Sequence, residues 1–148
     1  MNPHPYVRGY MAGIVVPTLF LLVVMSAYFV LRFILQVPVP IERVIVFPMA
    51  GVPNLWGLWN MLYVRRRQGG HPSIGVHGAL LPLVLAPLAF LVATGLGLAA
   101  RSQGAFVYLE VIHANYGLVA IVIGVGIAIY YLAWKYFVNF FNELLGVA

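Results

Sequence analysis

Glu110 and His113 are the residues best spaced for acid–base chemistry. They lie three positions apart, so a helix would place both side chains on one face. A carboxylate beside an imidazole can exchange a proton near neutral pH. Nearby polar residues extend the pair to a candidate outer polar cluster, which comprises Arg43, Arg101, Glu110, His113 and Asn115. Two interpretations stay open: a proton or substrate-access site, and a solvated rim of charge-balanced side chains at helix ends.

A second concentration of unusual residues runs from position 48 to position 60. Pro48 and Pro53 each remove a backbone donor from an apolar stretch, and Asn54 and Asn60 add side-chain amides. Backbone carbonyls that proline frees inside a membrane must be satisfied by protein or water. We therefore expect a candidate intramembrane site here, comprising Pro48, Pro53, Asn54, Trp56 and Asn60. The alternatives are a broken helix that lines a binding site, and a kinked packing helix whose amides bond to a neighbour.

Other kinds of chemistry have few residues to support them. The chain has no Cys and no Asp, so thiolate catalysis and an Asp-oriented histidine are excluded. His71 and His77 lack a third ligand for a metal. Haem is disfavoured because His77 and His113 should lie about a bilayer apart. We predict no catalytic residue, no metal site and no cofactor, and we lean against an enzyme.

The elements that position these residues are dictated by composition. Hydrophobic residues make up 64% of the 148 and charged residues only 7%, so water cannot be the solvent for most of the surface. Four apolar runs are each long enough for a membrane-spanning helix, at approximately 10–35, 44–64, 78–100 and 114–137. The prediction is an all-α integral membrane protein: one transmembrane domain, 1–148, folded as a four-transmembrane-helix bundle.

Basic residues set the expected orientation. Arg65, Arg66 and Arg67 directly follow the second run, and such clusters mark the cytoplasmic side. Alternation of four spans then places both termini in the cytoplasm, in a bacterial-type plasma membrane. The same three arginines are expected to attract anionic lipid. The net charge of +5 lies at helix ends and not on one polar face, so we expect no nucleic-acid partner.

Similar fragments recur in the two halves of the chain. The residues from Gly13 to Pro17 resemble those from Gly78 to Pro82, and Arg32 and Arg101 each end an apolar run. One explanation is two tandem helical hairpins, as in parallel-repeat transporters. The other is a shared local constraint, in which glycine relieves the crowding that proline imposes on the preceding turn.

Small residues recur along the fourth run, where another helix could approach closely. This helix-packing stripe consists of Gly117, Ala120, Gly124 and Ala128. Together with the short loops, it favours an oligomeric or accessory subunit of a membrane complex, either a homo-oligomer or part of a larger assembly. The first alternative is a small transporter or channel for a neutral or lipid-like substrate, lined by the broken second helix. The second is an intramembrane enzyme acting on a lipophilic substrate.

Overall fold

The computed structural model describes residues 4–37, 51–66, 72–102, 104–108 and 112–147. Its described part is mostly helical, with one small sheet. The helices are α1 (Pro5–Phe29), α2 (Val52–Arg66), α3 (Ile74–Ala79), α4 (Leu81–Gly95), α5 (Tyr116–Ala133) and α6 (Asn139–Leu144). Two π-helical turns, Val30–Ile34 and Trp134–Val138, continue α1 and join α5 to α6. The strands are β1 (Ala99–Ser102), β2 (Ala105–Tyr108) and β3 (Ile112–Asn115).

The first helix begins earlier than residue 10, the predicted start. Pro5 opens α1, where its missing N–H costs nothing because the first amides of a helix have no intrahelical acceptor. Pro17 lies inside α1 without ending it. With its π-helical turn, this segment extends over 30 residues, from Pro5 to Ile34.

The predicted third helix is divided and ends sooner than residue 100. It consists of α3 and α4, with Leu80 between them and Pro82 in the first turn of α4. Gly97, with φ of +69°, ends α4. The N–H groups of Gly97 and Leu98 donate to the carbonyls of Thr94 and Ala93, at 3.0 and 2.8 Å, which closes the helix C-terminus.

The chain is not all-α, because a three-stranded antiparallel sheet connects α4 to α5. The strand order is β1-β2-β3, and Arg101 lies opposite Phe106, which lies opposite Ala114. Each strand has four residues. Such short strands between long apolar helices leave almost no alternating pattern to detect in the sequence.

The fourth helical segment begins at Tyr116 and extends beyond residue 137. The side chain of Asn115 accepts a hydrogen bond from the Leu118 N–H at 2.7 Å and caps α5. The π-helical turn carries the chain into α6, so the segment is helical from Tyr116 to Leu144.

Three helical segments are long and apolar enough to cross a membrane: Pro5–Ile34, Ile74–Gly95 and Tyr116–Leu144. Within the described residues, α2 has 15 residues, fewer than the approximately 20 that a span requires. The predicted second helix began at 44, and the residues from 44 to 50 lie outside the described part. The predicted count of four spans therefore stays a prediction.

The buried core lies where α2, α4 and the second π-helical turn meet. Its hydrophobic members are Trp56, Leu81, Leu85, Trp134 and Val138. The helices α1 and α2 are antiparallel, because Gly9 lies beside Val64 and Gly13 beside Gly57. The Arg8 side chain donates to the Leu145 carbonyl at 3.3 Å, so the start of α1 and the end of α6 lie at one end of the bundle. We call it the terminal end; the sheet lies at the other.

Candidate functional site: a polar and aromatic centre

Three polar side chains are buried near the terminal end of the bundle. Asn60 of α2, His77 of α3 and Asn142 of α6 are 0%, 2% and 1% exposed. The rings of Trp59 and Trp134 contact the His77 ring, and Trp56 packs on Trp134. We call these three polar residues and three tryptophans the polar-aromatic centre. A buried polar group is costly unless it is hydrogen-bonded, so the partners of these residues decide what the centre does.

Asn60 and Asn142 face each other amide to amide. The Asn60 Nδ2 donates to Asn142 Oδ1 at 2.7 Å, and the Asn142 Nδ2 donates to Asn60 Oδ1 at 3.1 Å. A second hydrogen bond from Asn60 Nδ2 reaches the Gly9 carbonyl of α1 at 2.7 Å. Asn60 thus connects three helices that are distant in sequence.

His77 and Trp59 are joined by a reciprocal pair of hydrogen bonds. The Trp59 Nε1 donates to the His77 carbonyl at 2.8 Å, and the His77 Nε2 lies 3.0 Å from the Trp59 carbonyl oxygen. A carbonyl only accepts, so Nε2 carries the hydrogen. The two rings stack with centroids 5.0 Å apart, and the Tyr63 ring lies 5.2 Å from the imidazole. This arrangement holds α3 against α2.

The aromatic half of the centre packs three helical segments together. Trp56 lies between Tyr130 and Trp134, with ring centroids 4.9 and 5.4 Å apart, and its Nε1 donates to the Tyr130 hydroxyl at 3.3 Å. Trp134 is fully buried, and its Nε1 has no hydrogen-bond partner within the described residues. Gly78 leaves the space that the Trp134 ring occupies, since a Cβ there would collide with it.

The predicted intramembrane residues point to different neighbours. Asn54 accepts a hydrogen bond from the Tyr10 hydroxyl, while Asn60 and Trp56 belong to the polar-aromatic centre. Pro53 is buried in the first turn of α2. Pro48 lies outside the described residues. In the described part of α2 the hydrogen bonds of these side chains are directed at α1, α5 and α6.

The predicted outer polar cluster is only partly described. Arg43 and Glu110 lie outside the described residues. His113 belongs to β3, so the helical spacing that suggested a Glu110–His113 pair is absent at that position. Asn115 caps α5. The Arg101 Nε donates to the Tyr116 hydroxyl at 3.3 Å, and this hydrogen bond raises the pKa of Arg101.

The helix-packing stripe lies on the outside of α5. Gly117, Ala120, Gly124 and Ala128 are all exposed. Apart from the backbone of α5 itself, no atom of the described residues lies within 4 Å of where a Cβ of Gly124 or Gly126 would stand. The close helix approach inside the chain occurs elsewhere, where a Cβ on Gly13 would lie 2.7 Å from the Trp56 carbonyl oxygen.

The arginines that follow the second run are at the terminal end. Arg65 and Arg66 form the last turn of α2, and both are exposed. Cations are favourable at a helix C-terminus because the helix dipole is negative there. Arg67 lies outside the described residues, so the predicted lipid contact of all three stays a prediction.

Four members of the polar-aromatic centre were not predicted as site residues: Trp59, His77, Trp134 and Asn142. Asn142 lies in an aromatic stretch after Lys135, between Phe141 and Glu143, and nothing in the sequence distinguishes it from Asn139. For Trp134, the large size of the side chain is the only sequence feature that points to a role in the centre. From the sequence, His77 is considered only as a possible metal or haem ligand, and neither role is predicted. Among the described residues, no group of three or more His, Cys, Asp or Glu side chains could hold a metal ion.

The contacts that the centre makes are contacts between helices. Its donors and acceptors meet each other across α1, α2, α3 and α6, and its rings fill the space between them. Comparisons with family models, with curated proteins and with solved structures give no match to this chain.

Proposed function

We propose that this chain is a small multi-pass membrane protein that acts as an oligomeric or accessory subunit of a membrane complex. The proposal uses two features together: buried amides, Asn60 and Asn142, that are bonded to each other, and an outer helix face whose small residues have no partner in the described chain.

The observation that carries the proposal is the contrast between two sets of glycines. Gly13, Gly57 and Gly78 each lie where a Cβ would collide with a neighbouring helix or side chain. Gly124 and Gly126 meet nothing, although glycine inside a helix costs about 0.5–1 kcal/mol relative to alanine. A close contact with another chain would explain why α5 retains them, since small residues let helix backbones approach in a membrane.

The described contacts give less support to the transport alternative. A helix that lines a permeation path should direct its polar groups into that path. Asn54 is bonded to Tyr10, and Asn60 to Gly9 and Asn142. These bonds direct the α2 amides into interhelical contacts, as expected of a helix that holds a bundle together.

The test is cross-linking in the native membrane. The chain has no cysteine, so Ala120→Cys and Gly124→Cys place a single thiol on the stripe. Leu19→Cys, on the exposed face of α1, is the matched control. We expect a thiol cross-linker to join Ala120→Cys and Gly124→Cys to a second copy or to one defined partner, and Leu19→Cys much less. Equal cross-linking at all three positions, or none at 120 and 124, would contradict the proposal.

A further inference from the structure

An open groove runs between α2 and α4 on the outside of the bundle. It has a volume of about 670 Å³, within the range of roughly 300–1,000 Å³ that small-molecule sites occupy. Its walls are mostly apolar, and include Leu55, Leu58 and Leu62 from α2 and Leu81 and Val84 from α4. We call it the α2–α4 groove.

One end of the groove carries a charge. Arg65, in the last turn of α2, is the charged residue among the described residues that line the groove. Arg66 follows directly and is exposed. Arg65 forms no ion pair with another described residue. The acidic residue in the described ranges is Glu143, and its carboxylate accepts a hydrogen bond from Asn139 at 2.6 Å.

The length of the groove matches one leaflet of a bilayer. Leu55 and Arg65 are ten residues apart on one helix, which corresponds to about 15 Å at 1.5 Å per residue. The hydrocarbon region of a bilayer is about 30 Å thick. With Arg65 at the level of the headgroups, the apolar walls would reach the middle of the membrane.

From this geometry we infer that the α2–α4 groove binds an anionic glycerophospholipid, with an acyl chain along Leu58 and Val84 and the phosphate at the Arg65 guanidinium. The guanidinium is a strong donor to phosphate, and Arg66 adds positive charge that favours a headgroup with a net negative charge. A second protein helix would also fit an apolar groove. The confinement of positive charge to one end of the groove favours a lipid, which is apolar along its length and anionic at one end.

The inference requires only that the chain is in a membrane, and it does not depend on association between chains. It is tested on the monomer. Purified protein in a mild detergent is mixed with phosphatidylglycerol or with phosphatidylcholine of the same acyl chains, and the retained lipid is measured by native mass spectrometry. We expect the wild-type monomer to retain phosphatidylglycerol in preference to phosphatidylcholine.

Two variants separate the headgroup contact from the acyl-chain contact. Arg65→Gln should reduce phosphatidylglycerol retention about tenfold, the effect of one charge-assisted hydrogen bond, and should narrow the preference over phosphatidylcholine, because one of the two cations that favour a net negative headgroup is lost. Val84→Trp should fill the groove and reduce the retention of both lipids. The matched controls are Arg32→Gln, at the other end of α1, and Val23→Trp, on the exposed face of α1, and both should behave as wild type.

Three results would overturn the inference. The first is that Arg65→Gln retains as much phosphatidylglycerol as the wild type. The second is that Val84→Trp retains as much lipid as Val23→Trp, which would show that the groove is not the binding site. The third is that glycerol phosphate displaces the lipid from the wild-type protein, because the site would then recognise a soluble phosphate without an acyl chain.

Discussion

At the scale of single residues, Asn60 and Asn142 show how this bundle satisfies its buried polar groups. Neither amide is accessible, and each completes the other's hydrogen bonding. Hydrogen bonds between membrane helices contribute only about 0.6–2 kcal/mol. Breaking one costs more, because it leaves the remaining amide buried and without its partner. The pair therefore specifies how α2 and α6 meet more than it adds net stability.

This view predicts strong coupling between the two positions. Asn60→Leu or Asn142→Leu alone should lower the free energy of unfolding by about 1–3 kcal/mol, because an amide remains unsatisfied. The double variant should lose less than the sum of the two single variants. The measurement is unfolding in mixed detergent micelles. Asn139→Ala, which breaks only an exposed bond to Glu143, is the control and should change stability by less than about 0.5 kcal/mol. Additive losses would contradict the pairing.

The sequence alone could identify one member of this pair. Asn60 stood out because it lies in a span rich in proline, glycine and asparagine. Its partner lies 82 residues later, and nothing in one sequence connects the two positions. The same holds for His77 and Trp59, which are bonded through backbone carbonyls that any residue type would supply. The residue types could therefore be used to predict site residues, but the contacts between positions far apart in the sequence could not be predicted.

At the scale of elements, the two similar glycine–proline fragments turn out to serve different contacts. Gly13 admits the backbone of α2, and Gly78 admits the ring of Trp134. Each glycine lies four residues before a proline, which agrees both with a tandem repeat and with a local constraint from proline crowding. In both places the glycine is needed by a neighbouring helix, which is a role beyond relieving the local crowding from proline.

Gly78 should be among the least tolerant positions of the chain. Gly78→Ala would drive the Trp134 ring out of its place, and overpacking of this kind costs about 1–3 kcal/mol. Gly95→Ala, which lies outside the helix-packing stripe, is the matched control, because an added Cβ there meets no described atom apart from the backbone of α4 itself. Thermal unfolding in detergent should therefore show a lower midpoint for Gly78→Ala and an unchanged or higher one for Gly95→Ala. Equal midpoints would mean that Trp134 does not occupy this space.

The boundaries of the elements were the part that sequence patterns predicted least well. Apolar runs located the helical segments because lipid-facing and core-facing positions are both hydrophobic. For the same reason they could not show where a helix stops, since Ala99 and Ala100 are as apolar in β1 as in a helix. The sequence patterns did not predict the short sheet. The end of α4 is determined by Gly97 and not by a change in hydrophobicity.

At the scale of the whole molecule, the described contacts place the charged groups at the two ends of a bundle. Arg8, Arg65 and Arg66 lie at the terminal end, and Arg32 and Arg101 lie at the other. Three segments are long and apolar enough to cross a membrane. Both the proposed subunit role and the lipid groove depend on this bundle standing across a bilayer, with α2 completing a fourth crossing.

The most direct test of that central claim is the accessibility of single cysteines in intact cells. The chain has no cysteine of its own, so Gln36→Cys, Arg66→Cys, Ser102→Cys and Leu144→Cys each report one connection or end. An impermeant maleimide should label Gln36→Cys and Ser102→Cys from outside, and Arg66→Cys and Leu144→Cys only after permeabilisation. Lysed cells, in which all four should react, are the control. Labelling of Arg66→Cys and Ser102→Cys from the same side would contradict the account, because α4 would then not cross the membrane.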